Sequence, residues 1–354
     1  MFFLNLQKGK EKVMKNKKNT IKIGGYSVFT TFILSSILLI NTFVIPQALC
    51  AEKKYPTNPV KLVCPFGTGG STDIAARSLA GVIQEFLGQP VVVVNIPGAG
   101  GAVGFDDVRK SIPDGYKMMM AAIGANVIVP ALNTKLHFSY DELVFVARTQ
   151  INPNALIVNA KAPWKNFKEF AEAIKNNPGK YKFSTAGVGQ VSHVGPIFML
   201  KEIGLKGSEV TPIHFDSDNE AVLAVVRGDT DFYHSNFNVA IGSLKGGLVR
   251  CLAVTTPKRI DVIKDIPTYT ELGYPQINIV GWRGVCGPPA LPDYIVKTWE
   301  EAVYKTCTSQ PWLKTVEKLG DEPGYMNAKD FTKFVHEEFN RYRKIFTELG
   351  MLIK

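Results

Sequence analysis

From residue 55 onward the chain alternates short β-branched runs with amphipathic helices, joined by glycine-rich turns. That alternation is the tightest constraint on the fold. Strands separated by helices pair in parallel, and the helices cover the sheet faces. Residues 60–65 read as a buried strand. Residues 71–87 read as a helix, because Ala75, Leu79, Val82, Ile83 and Phe86 recur on one face, and Gly88 stops it. The unbroken β-branched run at 91–95 predicts a strand buried on both faces. A helix near 101–110 and a strand at 116–122 follow. The middle of the chain repeats the scheme, with strands at 155–158, 183–185, 210–214, 231–234 and 248–254 and helices at 166–175, 192–203 and 219–227. The pattern therefore predicts an α/β protein with largely parallel sheets.

A chain of 354 residues exceeds what one core usually holds, so two lobes are expected. The last helix supplies their arrangement. Phe331, Phe334, Val335, Phe339, Tyr342, Ile345, Phe346 and Leu349 make one apolar face, with Asn327 as N-cap, Asp330 in the first turn and Gly350 past the end. Such a helix packs on another lobe's sheet, which makes the N-terminal lobe discontinuous. The expected division is 52–155 and 275–354 for one lobe and 156–274 for the other.

Charge and cysteine usage exclude several classes. The net charge is +10, but residues 1–51 hold seven lysines against Glu11 alone, so most of the excess sits there. The rest has no basic run, and nucleic acid is not indicated. The lysine block precedes the apolar stretch 26–44, Pro46 and the small-residue exit Ala48-Leu49-Cys50-Ala51, which reads as a secretory signal peptide over 1–51 and places the protein in the periplasm. Lipidation at Cys50 is disfavoured by the bulky Leu49 before it. Cys64, Cys251, Cys286 and Cys307 are far apart, without CxxC spacing, and read as small core hydrophobes.

Three glycine-rich segments compete for function. In Pro65-Phe66-Gly67-Thr68-Gly69-Gly70-Ser71-Thr72-Asp73, a strand runs through three glycines and three hydroxyl residues into a helix. Glycine lets the backbone approach a ligand, and the free amides and dipole of the helix start favour an anion. Asp73 works against that, so its expected role is capping and pairing with Arg77. Ala186, Gly187, Gly189, Gln190 and His193 form the same strand–turn–helix plan in the other half, and two facing helix N-termini make a clamp for a small carboxylate. The segment 98–104 lacks the dinucleotide register and reads as a loop packed on the neighbouring lobe. Asp216 and Asp218, like Asp229 and Asp231, read as turn aspartates. No histidine spacing suggests a metal, and no nucleophile elbow, Walker or HExxH motif occurs. Neither an enzyme nor a cofactor is expected.

These residues together resemble the substrate-binding proteins of tripartite tricarboxylate transporters, the Bug-type receptors. The likeness runs through Tyr55-Pro56-x-x-Pro59-Val60, Cys64-Pro65-Phe66-x-x-Gly69-Gly70-x-x-Asp73-x-x-Ala76-Arg77, Leu87-Gly88-Gln89-Pro90, Asn95-x-Pro97-Gly98-Ala99-Gly100-Gly101, Pro113-Asp114-Gly115-Tyr116, Gly187-x-Gly189-x-x-x-His193, Ile266-Pro267-Thr268-x-x-Glu271-Leu272-Gly273 and Gly281-Trp282-x-Gly284. The resemblance implies a two-lobe type II periplasmic-binding-protein fold, each lobe a mixed sheet flanked by helices, with the ligand between the lobes. It implies a monomer that hands a small carboxylate to membrane permease subunits. It also implies that the turns at 66–73 and 185–193 hold the carboxylate, largely through main-chain amides and bridging waters, while the loops 123–126 and 234–236, with Asn126, Ser235 and Asn236, border the cleft and tune the side-chain end. Three departures matter: Gly67-Thr68 in the first turn, Gln190 in the second, and Phe215-Asp216-Ser217 where the family often carries a lysine. The lost cation and added acid fit a monocarboxylate, an aromatic acid or an amino acid better than a tricarboxylate. Two other functions fit the same features: a periplasmic sensor subunit, and a hydrolase or isomerase on this fold.

Overall fold

The computed structural model describes residues 54–353, so the expected signal segment and Cys50 lie outside the described residues. Its strands and helices run β1 (Val60–Cys64), α1 (Ser71–Leu87), β2 (Val91–Asn95), α2 (Ala102–Arg109) and β3 (Lys117–Ala122). A π-turn at Gly124–Ile128 leads into α3 (Val129–Leu132), then β4 (Val144–Asn152) and β5 (Asn154–Asn159). The middle comprises α4 (Phe167–Asn176), β6 (Lys182–Thr185), α5 (Val191–Glu202), β7 (Thr211–His214), α6 (Asp218–Arg227), β8 (Phe232–Asn236), α7 (Ile241–Lys245) and β9 (Val249–Val254). The chain closes with β10 (Gly281–Gly287), α8 (Asp293–Thr308), α9 (Gln310–Lys318), β11 (Glu322–Met326) and α10 (Ala328–Glu348).

Two sheets result, ordered β11-β4-β10-β3-β1-β2 and β7-β6-β8-β5-β9. Both are mixed, which corrects the largely parallel sheets read from the alternation. β1 pairs in parallel with β2 and β3, and β6 with β7 and β8, where helices make the crossovers. β10 lies antiparallel between β3 and β4, and β5 lies antiparallel between β8 and β9. The cause is the passage between sheets. Only Pro153 separates β4 from β5, and without an N–H it cannot continue the ladder, so the chain leaves one sheet and enters the other.

Each sheet is buried on both faces. Leu79, Ile83, Met118, Trp299 and Trp312 pack on one side of the first sheet, and Phe105, Met119, Trp282, Phe331 and Tyr342 on the other. Burying one such aliphatic side chain contributes about 1.5–3 kcal/mol, so these layers fix the strand ends that carry the turns. In α10, Phe331, Val335, Tyr342 and Phe346 are fully buried against the first sheet's layer, and Asn327 caps the helix by accepting from the Asp330 amide at 2.8 Å. The second sheet lies between Phe170, Phe183 and Leu200 on one face and Ile157, Val225 and Tyr233 on the other.

The four described cysteines are free and buried, as expected for small core hydrophobes. Burial pushes the Cys64, Cys251 and Cys307 thiols up to about 12, so they carry no thiolate at neutral pH. Among the described residues no helix is long and apolar enough to cross a membrane.

Candidate functional site

The first turn leaves β1 through Pro65 and Phe66 and enters α1 with Gly70 at the N-cap, which has no side chain to cap the helix. The second leaves β6 and enters α5 with Gln190 at the N-cap, whose side chain also makes no capping bond. Neither helix start is capped by its own N-cap side chain; the Ser71 amide of α1 meets Asp218 from the facing half instead, and the positive end of each dipole faces the pocket. The two starts face each other across an inner pocket of about 20 Å³, lined by Phe66, Gly70, Ser71, Thr72, Ala186, Gln190 and Val191. An outer cleft of 720 Å³ shares Phe66, Gly67, Ala186, Gln190 and Asp216 with it and adds Gly187, Val188, His214 and Ile353.

The two halves meet closely here. A side chain at Gly67 would come within 3.2 Å of the Asp216 carbonyl oxygen, and one at Gly100 within 3.0 Å of the Val188 carbonyl oxygen. The segment 98–104, read from the sequence as a loop, is a tight turn at 98–101 running into the first residues of α2, and through Gly100 it packs across the cleft as expected. Gly124 likewise leaves room for the Gln190 amide, whose Oε1 would lie 2.9 Å from an added Cβ.

Not every residue singled out from the sequence reaches the cavities. Phe66, Gly67, Gly70, Ser71, Thr72, Ala186, Gly187, Gln190 and Ser235 line one or both. Thr68 is exposed outside the linings, and Gly69 turns its amide back onto Asp73 at 2.9 Å. Asp73 lies behind the turn, where Arg77 Nε donates to it at 3.0 Å and Asn95 Nδ2 at 2.8 Å. Burial opposes its charge, but the bonds from Arg77, Gly69 and Asn95 hold its carboxyl below the ordinary value. Asp73 is a brace rather than part of the wall. Asn126 is fully buried and accepts from the Ala122 amide at 2.9 Å, so it shapes the loop while Ile123 and Gly124 line the pocket. Gly189 and His193 also sit behind their turn: His193 Nδ1 accepts from the Gly189 amide at 3.3 Å. Burial, with the His214 ring beside it, lowers His193 to about 4, so it is neutral at pH 7.

Four polar side chains of the inner pocket stand out: Gln190 and Asn236, which the sequence reading placed at the cleft, and Arg283 and Asp218, which it left out or assigned elsewhere. Arg283 on β10 is 3% exposed; its Nη2 donates to Ser71 Oγ at 3.1 Å and its Nη1 to the Trp282 carbonyl at 2.9 Å. Its Nε has no partner. Gln190 Nε2 is likewise buried and unpartnered. Asp218, read as a turn aspartate, opens α6 and lines the pocket, where Tyr233 donates to its Oδ1 at 2.9 Å. Asn236 ends β8 with a buried, unpartnered Oδ1. The signal for Arg283 was faint: it is a lone charge two residues before the short apolar run Val285-Cys286, in a segment whose glycines 281, 284 and 287 blur the strand pattern.

Behind the pocket, Gln150 Nε2 donates to Asp321 at 2.6 Å and Asn238 Nδ2 at 3.4 Å. Burial raises Asp321 to about 7 against these bonds and the nearby Arg283. Burial also raises Asp218 and lowers Arg283, each partly offset by the other's charge. Among the described residues no cluster of three histidine, cysteine or acidic side chains could hold a metal. Arg283 and Gln190 bring unpartnered donors to the pocket lining, an arrangement suited to holding an anion.

Comparison with known proteins agrees with this geometry. A family model described as the tripartite tricarboxylate transporter family receptor matches residues 75–351. The protein BugT of Bordetella pertussis is 28% identical over 306 residues, spanning 85% of this chain and 92% of that protein. A solved structure described as a periplasmic transporter superposes with a TM-score of 0.81 at 29% identity, covering 85% of this chain and all of that one. MatC from Rhodopseudomonas palustris, solved with bound malate, gives a TM-score of 0.76 at 26% identity, covering 82% of this chain and 99% of that one. Two mixed sheets, a pocket between helix starts and a family match through both sheets give one answer: the chain belongs to the tripartite tricarboxylate transporter receptor family.

Proposed function

We propose that this protein is an extracytoplasmic solute-binding protein that captures a small organic carboxylate between the turns at 66–73 and 185–193 and delivers it to a tripartite tricarboxylate-type permease. The observation that carries the reading is the convergence of two helix starts without N-cap side-chain bonds and two buried, unpartnered donors, Arg283 Nε and Gln190 Nε2, on one pocket. An anion placed there satisfies all of them at once. The malate in the related MatC supports the ligand class. We read 52–155 with 275–354 as one lobe and 156–274 as the other. The inner pocket has room for about one water molecule, so a carboxylate enters when the two turns separate and is enclosed when they return. The protein acts by binding alone, without turnover.

Calorimetry of the purified protein against mono-, di- and tricarboxylates and amino acids tests this. Saturable binding of one class is expected, and silence across the panel overturns the proposal. Tryptophan fluorescence and small-angle scattering with and without the bound acid test the closure. Co-purification with the permease subunits tests the delivery step.

A further inference from the structure

Arg283 is a guanidinium with 3% exposure, and none of the ion pairs among the described residues involves it. A buried charge without a direct counterion is costly, and a protein keeps one where a partner arrives to meet it. Asp218 lines the same inner pocket from the facing sheet. The two therefore face one small space without closing on each other. Gln190 Nε2 and Asn236 Oδ1 are further unpartnered polar atoms of residues lining this pocket, the latter packed against Gly281. Asp218 keeps acceptor capacity: a carboxylate has about four lone-pair sites, and the Tyr233 hydroxyl, the Ser192 hydroxyl and the Ser71 amide do not fill them.

A simple carboxylate would satisfy Arg283 and Gln190 but would bring a second anion beside Asp218. A dicarboxylate held wholly in this pocket would be worse. A molecule with an ammonium next to its carboxylate meets both sides.

We propose that Arg283 and Asp218 are the specificity-determining pair of this pocket and select a zwitterionic amino acid, its carboxylate on Arg283 and its ammonium on Asp218. The inference rests on the reading of this pocket as the ligand site.

The test uses matched pairs that differ only in the ammonium: L-alanine and propionate, L-phenylalanine and 3-phenylpropionate, L-glutamate and glutarate, with malate alongside. At least one amino acid is expected to bind about tenfold or more tighter than its deaminated partner. Arg283→Met is expected to weaken that amino acid about a hundredfold, and Arg283→Lys to recover part of the loss. Asp218→Asn is expected to bring the ratio within the pair close to one, weakening the amino acid through loss of the ammonium's partner and tightening its deaminated partner through relief of the repulsion. That ratio is the readout a merely structural role would not move. If Arg283→Met fails to fold, the lysine variant and the Asp218→Asn ratio decide. Deaminated partners that bind as tightly as their amino acids overturn the inference, as does an Arg283→Met protein that binds like the wild type. Malate binding with all three amino acids silent overturns it too, yet leaves the carboxylate reading standing. Silence of the whole panel removes both.

Discussion

At the first turn, Asp73 gathers the Gly69 amide, the Arg77 guanidinium and the Asn95 amide, an ionic brace lying wholly on the first sheet's side. At the second turn, the same strand–glycine–helix plan is held by neutral groups. Ser192 Oγ accepts from the Ala186 amide at 2.9 Å, Thr185 Oγ1 from the Gly187 amide at 3.1 Å and His193 Nδ1 from the Gly189 amide at 3.3 Å. Hydrogen bonds to charged groups contribute about 1.5–3 kcal/mol each and neutral ones about 0.5–1.5. The first turn is therefore a fixed wall, and the second is the one that deforms at lower cost around a ligand. Two jaws with one outline are thus unequal in stiffness, and the inequality comes from what lies behind them.

The largest expected effect follows from that inequality. Asp73→Ala should lower stability by about 4 kcal/mol, because three bonds to one charge are lost, while Ser192→Ala should cost about 1 kcal/mol. Urea unfolding of both variants measures this, and equal losses would remove the distinction between the turns.

Between pH 6.5 and 4 the pH effect at the two turns should come from the second, since Asp73 in the first is held below its ordinary value and loses its contribution only at lower pH. His193 sits at about 4 in the folded protein and near 6.5 when unfolded, so between these values the unfolded chain binds the extra proton. Its contribution is fully present above pH 6.5 and is lost as pH falls toward 4, by at most about 3 kcal/mol. A His193→Gln variant should show a correspondingly flatter stability profile over that window. A profile parallel to the wild type would show that the imidazole does not brace the turn.

The smallest effect concerns the contact between the jaws. Gly67→Ala places a methyl 3.2 Å from the Asp216 carbonyl oxygen, a backbone atom with little freedom to retreat. Overpacking of this kind costs upward of about 1 kcal/mol and would fall on the closed state, weakening ligand binding about tenfold. Titration calorimetry reads the affinity, and unfolding should show nearly unchanged stability.

Much of this was legible along the chain. Residues 71–87 and 91–95 appear with the predicted bounds, since an amphipathic stripe ending at a left-handed Gly88 and an unbroken valine run are local signals. The apolar face of α10, of which Phe331, Val335, Tyr342 and Phe346 are fully buried while Phe334, Phe339 and Ile345 lie half-buried at its edges, and its Asn327 cap were equally plain. β4 and β11 do not read as strands in the sequence, and β10 shows there only as a short apolar run around Cys286. Each pairs antiparallel with partners distant in sequence and carries polar or glycine residues at the crossing. At the site, the glycines and hydroxyls announced themselves by composition. Asp73 was correctly read as partner to Arg77, four residues on, because helical geometry makes that contact local.

The sequence by itself determined the two helix starts and the turns leading into them, because capping, helical periodicity and glycine's freedom act over a few residues. Only the tertiary structure decided which side chains complete the pocket. Arg283 lies 212 positions from the Ser71 hydroxyl it touches, and Asp218 reaches the same space from the other sheet. Their meeting depends on how β10 returns between β3 and β4, a matter of long-range packing that no local pattern encodes.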